Sequence, residues 1–280
     1  MPNPPGSRRR TEKILLPPGS RPAGPGRVKV PEATALFWAI KVLTTGMGET
    51  ASDYLARTVD PVIAVGGTAL ALAALLLAQV RADRLRPWLY WSAVAMVSVF
   101  GTMAADVLHV VVGVPYLVST IAFAAVVAAV LALWYRREGT LDIHSICTGR
   151  REAFYWLTVL ATFALGTAAG DLTAGTLGLG YLASGVLFAV AIAVPAVAHR
   201  RWGLGAVPAF WIAYVLTRPL GASFADWVAV PAARSGLGVG TGTITAVLVL
   251  LIVGAVAVHA RTPRAGGGLD GPSRVPAGPR

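Results

Sequence analysis

Four aspartates, Asp53, Asp106, Asp171 and Asp226, stand in stretches of otherwise apolar sequence. A carboxylate in apolar surroundings is costly unless it binds something, so its natural chemistry there is cation coordination or proton carriage. Glu49 lies one helical turn before Asp53. With the hydroxyls of Thr45, Thr102 and Thr167 these acids make an all-oxygen donor set. Such a set suits hard ions (Mg²⁺, Mn²⁺, Ca²⁺) or protons better than copper or zinc. Asp53, Asp106, Asp171 and Asp226 are the candidate metal ligands, and with Glu49 the candidate cation-binding or proton-relay residues. The competing expectation is structural: each carboxylate caps a neighbouring helix or bonds to backbone near the end of its own.

The acids come with a fixed context. The segments FWAIKVLTTGMGETASD, YWSAVAMVSVFGTMAAD, YWLTVLATFALGTAAGD and FWIAYVLTRPLGASFAD each open on an aromatic residue and a tryptophan, namely Trp38, Trp91, Trp156 and Trp211. Ten residues after each Trp stands Gly48, Gly101, Gly166 or Gly221, and fifteen after it the aspartate. On a helix, positions 3, 7, 10, 11, 14 and 15 after the Trp fall within an arc of about 140°. In the first copy that face reads Lys41, Thr45, Gly48, Glu49, Ser52, Asp53; in the fourth it carries Tyr214, Arg218 and Asp226. The remaining faces are aliphatic, so the polar faces must point at one another.

Each part of the repeat then has an expected role. The glycines, in a Gly-x-x-x-small pattern, allow close helix packing. The tryptophans are expected to anchor the helices at the membrane interface. Each Asp lies about 22 Å beyond its Trp, in the far part of a hydrocarbon core of about 30 Å. Lys41 is close enough to the Trp level to snorkel out to the cytoplasm. Arg218, deeper and followed by Pro219, needs a partner. If the fourth copy adjoins the first, Glu49 lies about 6 Å further along the axis, which predicts an Arg218–Glu49 pair. His109, three residues after Asp106, is either an additional imidazole at the rim or a hydrogen-bonded surface residue.

These helices belong to a chain of 280 residues that is 55% hydrophobic and only 13% charged. A soluble domain of that size cannot bury so much apolar side chain. Apolar stretches of spanning length recur at about 36–55, 61–80, 89–109, 114–135, 154–173, 176–198, 209–228 and 240–260. Eight spans put both termini on one side. Of the 24 Lys and Arg residues, 20 fall in the two tails and the loops on that side, which the positive-inside rule makes cytoplasmic. The net charge of +11 is thus a topology signal, and nucleic-acid binding is not expected. The expected organisation is a disordered basic tail (1–33), repeats at 34–80 and 88–135, a cytoplasmic linker (136–151), repeats at 152–198 and 208–260, and a second disordered tail (261–280). The lone Cys147 excludes an internal disulfide, and His144 beside it makes only half a metal motif.

Two helices per copy give every copy the same orientation, so the repeats are parallel and related by an axis along the membrane normal. The expected fold is all-α: four first helices in a pseudo-fourfold ring, sheathed by four second helices. Over about 36–260 the chain resembles a family of bacterial integral membrane (membrane-anchored) proteins catalogued by a tandem repeat of unknown function. The resemblance implies the bacterial inner membrane and no settled activity or cofactor. The leading functional expectation is a transporter or channel for a small cation, with membrane lipids as the other partner. The alternatives are a membrane scaffold or partner subunit whose acids fasten the bundle, and an enzyme acting on lipid or quinone. Against the enzyme, the sequence has no nucleophile–base pair, metalloprotease helix motif or phosphate-binding glycine loop, and its loops are short.

Overall fold

The computed structural model describes residues 28–261, and the greater part of both expected tails lies outside them. Eight α-helices follow one another: α1 (Ala35–Thr58), α2 (Pro61–Arg81), α3 (Pro87–Asp106), α4 (Tyr116–Glu138), α5 (Gly149–Asp171), α6 (Gly180–Arg201), α7 (Ala206–Ala229) and α8 (Thr241–Arg261). Among the described residues there is no strand. Local chemistry sets several boundaries. The Thr34 hydroxyl caps α1, the Asp60 carboxylate accepts from Val62 and Ile63 N–H at the start of α2, and Gly139, with φ +71°, ends α4.

The odd-numbered helices close a ring: α1 packs on α3, α3 on α5, α5 on α7, and α7 back on α1. Each even-numbered helix packs chiefly on the first helix of the next repeat: α2 on α3, α4 on α5, α6 on α7, and α8 on α1. Every repeat therefore completes its successor, and the fourth completes the first. This is the expected pseudo-fourfold arrangement with a circular interlock added.

Burial is reversed relative to a water-soluble bundle. Thr44, Thr45, Glu49, Ser52, Ser98, Thr102, Thr167 and Arg218 are buried, while Ile63, Leu70, Ile121, Val190 and Leu250 are exposed on the sheath. Apolar side chains outside and hydroxyls inside suit a hydrocarbon surround. By length and apolarity six helices are capable of crossing a membrane: α2, α3, α4, α5, α6 and α8. The two others of the eight expected spans, α1 and α7, carry Lys41, Glu49, Asp53 and Arg218. Lys41, Glu49 and Arg218 are accommodated because the ring surrounds them with protein, and Asp53, partly exposed, is paired with Arg57.

The last residues of the expected N-terminal tail are tied down. Lys29 N–H donates to Ile146 O at 3.0 Å, and Lys29 Nζ meets Glu152 at 2.7 Å and Val80 O at 2.9 Å. Gln79 Nε2 donates to the same Glu152 carboxylate at 3.4 Å, so this segment straps the Trp end of the bundle to α2 and α5.

Candidate functional site: a polar axis inside the helix ring

The ring is built on one contact repeated four times. A Cβ on Gly48 would strike Ser98, one on Gly101 would stand 3.0 Å from Phe163 Cβ, one on Gly166 would strike Arg218, and one on Gly221 would stand 2.7 Å from Val42 O and strike Thr45. Ser98, Phe163, Arg218 and Thr45 all lie seven residues after their own Trp. The glycine of each repeat thus receives the seventh-position side chain of the next, around the full circle. Because Gly166 offers no side chain, the long Arg218 can turn into the axis.

Arg218 is fully buried there. Its Nη2 donates to Glu49 Oε2 at 2.6 Å and to Thr167 Oγ1 at 2.9 Å, and also meets Thr102 Oγ1. Its Nη1 donates to Thr45 O at 3.3 Å. Thr102 and Thr167 give their own protons to Ser98 O and Phe163 O, leaving both hydroxyl oxygens as acceptors for the guanidinium. Glu49, Thr102 and Thr167 are the eleventh residue after the Trp in the first three repeats. One arginine from α7 therefore ties α1, α3 and α5 together on the axis. The Arg218–Glu49 pair expected from the sequence is present.

On the Trp side of this knot, Lys41 is buried, with Nζ 4.1 Å from the centre of the Phe163 ring and 4.2 Å from that of Tyr214. It does not snorkel. The aromatic layer beyond it, in which the Tyr90 and Tyr155 hydroxyls meet, covers the route out, and Nζ lies against the two ring faces instead. The tryptophans also depart from expectation. Of the four repeat tryptophans, Trp91, Trp156 and Trp211 are buried between helices, and Trp38 is partly exposed. Trp211 Nε1 donates to Leu141 O at 3.0 Å, and its ring packs edge-on to Trp134. These are packing residues more than lipid anchors.

On the other side of Arg218 the aspartates divide. Asp53 pairs with Arg57 of its own helix at 2.7 Å, partly exposed. Asp226 is buried. Asp106 accepts a long bond from Ser52 Oγ at 3.5 Å. An oxygen of Asp106, an oxygen of Asp171 and a ring nitrogen of His109 lie within 4.8 Å of one another, a grouping able to hold a metal ion. Glu49 and Asp53 are near enough to act on Asp106 and Asp171 through their charge. Asp53 and Asp226 stand outside this grouping, which brings two of the four aspartates together with an imidazole nitrogen. His109 is buried, not a surface residue. Both acids stand where their helices loosen into single π-turns, Val107–Val111 and Leu172–Thr176, which occur only in the second and third repeats.

The fold defines a class: an all-α, polytopic protein of four parallel two-helix repeats, with apolar helices of membrane-spanning length and a charged interior. The chain belongs to the family described as Repeat of Unknown Function (DUF347), whose model matches residues 36–84, 89–140, 154–202 and 209–265. No curated protein and no solved structure matches it.

Proposed function

We propose that this protein moves a small cation across the bacterial inner membrane, with both termini in the cytoplasm and lipid against the even-numbered helices. The observation that carries this reading is the buried axial column. Acids gather at one end (Asp106, Asp171, Asp226, with Asp53 at the rim), and the Arg218–Glu49 knot closes the axis beneath them. A permanent guanidinium on the axis opposes free passage of cations. The column therefore fits a carrier that must part Arg218 from Glu49 better than it fits an open channel. Intramembrane acids facing a bundle interior usually mark ion or proton paths. The orientation rests on the 20 basic residues gathered at the Trp end and in the tails.

The test is flux in proteoliposomes loaded with a metal-sensitive dye, followed with Mn²⁺ outside and then with a proton gradient. Wild-type protein carries one of them, and Asp106→Asn or Asp171→Asn lowers its flux on the order of tenfold. Variants that carry ions as well as wild type, or a wild type that carries neither, end the reading.

A second reading is favoured by the closure of the axis and by the Asp53–Arg57 pair: a scaffold or partner subunit in which the acids only fasten helices. It predicts that neutralising Asp106 or Asp171 lowers the unfolding temperature, whereas a cation site loses repulsion on neutralisation and is stabilised.

A further inference from the structure

The acids at the Asp end are not interchangeable, and His109 is what separates two of them from the rest. At the eighteenth position after the Trp the other three repeats carry Ala56, Ala174 and Ala229, and only the second carries an imidazole. The two nitrogens of His109 stand in different surroundings. Nε2 lies 2.6 Å from Ser119 Oγ, a hydroxyl that also reaches Tyr116 O at 3.0 Å. When Ser119 gives its proton to that carbonyl it accepts from Nε2–H, and Nδ1, buried with no hydrogen-bond partner, keeps its lone pair. Tyr116, its ring centre 4.1 Å from that of His109, holds the imidazole from its other side. A histidine that donates one N–H to an orienting group and presents its other nitrogen bare is the arrangement found around bound metals.

We infer that Asp106, His109 and Asp171 form a binding site for a single first-row transition-metal dication. An oxygen of each aspartate and a ring nitrogen of His109 lie within 4.8 Å of one another, and bonds of about 2.0–2.2 Å to a common centre draw the donors together by small side-chain rotations. Asp106 and Asp171 are both part-exposed, which leaves room for water to complete the shell. Two carboxylates and one imidazole neutralise the dication and favour Mn²⁺, Fe²⁺, Co²⁺ or Zn²⁺ over Mg²⁺ and Ca²⁺, which prefer oxygen alone. The inference deepens the cation reading by naming the ion class, but it stands on binding and not on transport.

The full chain, purified in detergent, is titrated calorimetrically with Zn²⁺ and separately with Mg²⁺ and Ca²⁺. Zn²⁺ is expected to bind one per chain, about tenfold or more tighter than the other two. His109→Gln and Asp171→Asn each weaken Zn²⁺ about tenfold or more, and Ser119→Ala, which releases the orientation of His109, weakens it by a similar factor. Asp83→Asn, exposed in the loop between α2 and α3 at the opposite end of the bundle, leaves it unchanged. Size exclusion checks folding first, and if His109→Gln fails to fold, Asp171→Asn and Ser119→Ala carry the test. Absence of Zn²⁺ binding, Zn²⁺ binding that survives Asp171→Asn, or Mg²⁺ binding as tight as Zn²⁺ overturns the inference. Zn²⁺ bound here by a protein that moves no ion in proteoliposomes ends the transport reading and leaves the site standing.

Discussion

Arg218 is worth most through what its removal would strand. With Arg218→Met, Glu49 keeps its burial and loses its counter-charge, a change that typically costs about 3–5 kcal/mol. Glu49→Gln strands the guanidinium in the same way, whereas the double variant removes both charges and recovers most of the loss. Thermal unfolding of the four proteins in detergent checks this, and additive losses would mean the two residues act separately. The pair was legible in the sequence because Glu49 and Arg218 break the repeat at heights that meet once the ring closes. His109 breaks it as plainly, against Ala56, Ala174 and Ala229, yet its partners, Ser119 ten residues on in α4 and Asp171 of the next repeat, follow from the fold and not from the repeat pattern. Lys41 departs from its sequence pattern for a related reason. Its distance from the Trp level permits snorkelling, and only the aromatic layer contributed by other repeats forbids it.

At the scale of the helices, packing rests on the glycine of one repeat accepting the seventh-position side chain of the next. Gly221→Ala places a methyl against Thr45 and the Val42 carbonyl, backbone that cannot yield, and should cost about 1–3 kcal/mol. Gly67→Ala, on the open face of α2 with nothing within 4 Å, should be neutral or stabilising by up to about 1 kcal/mol. Unfolding temperatures of the two variants test the contrast directly. The glycine spacing announced a close contact, but not its partner. The tryptophans show the same limit. Their position near the helix starts was readable, and their burial was not, because it follows from each even helix leaning on the next repeat instead of its own.

At the scale of the molecule, the bundle has two unlike ends, and the lone Cys147 sits at the Trp end among the basic loops. In intact cells a membrane-impermeant maleimide should fail to label it until the membrane is opened. Cys147→Ser combined with Ser235→Cys, which moves the thiol to the other end, should label without permeabilisation. The reverse pattern would invert the topology. What the sequence determined alone was the repeat, the eight helices, their parallel order and the polar face of each first helix. These follow from the apolar run lengths and from the angle a helix turns per residue, both local to the chain. Only the tertiary structure decided which polar residues meet. The ring sets one repeat's glycine against the next repeat's seventh side chain, and that offset carries Arg218 to the axis. The turn into α4 sets Ser119 against His109 Nε2, and the ring brings Asp171 of α5 beside His109 and Asp106. Equivalent aspartates acquire unequal surroundings because the copies differ at a few positions, and those differences act only across helix contacts.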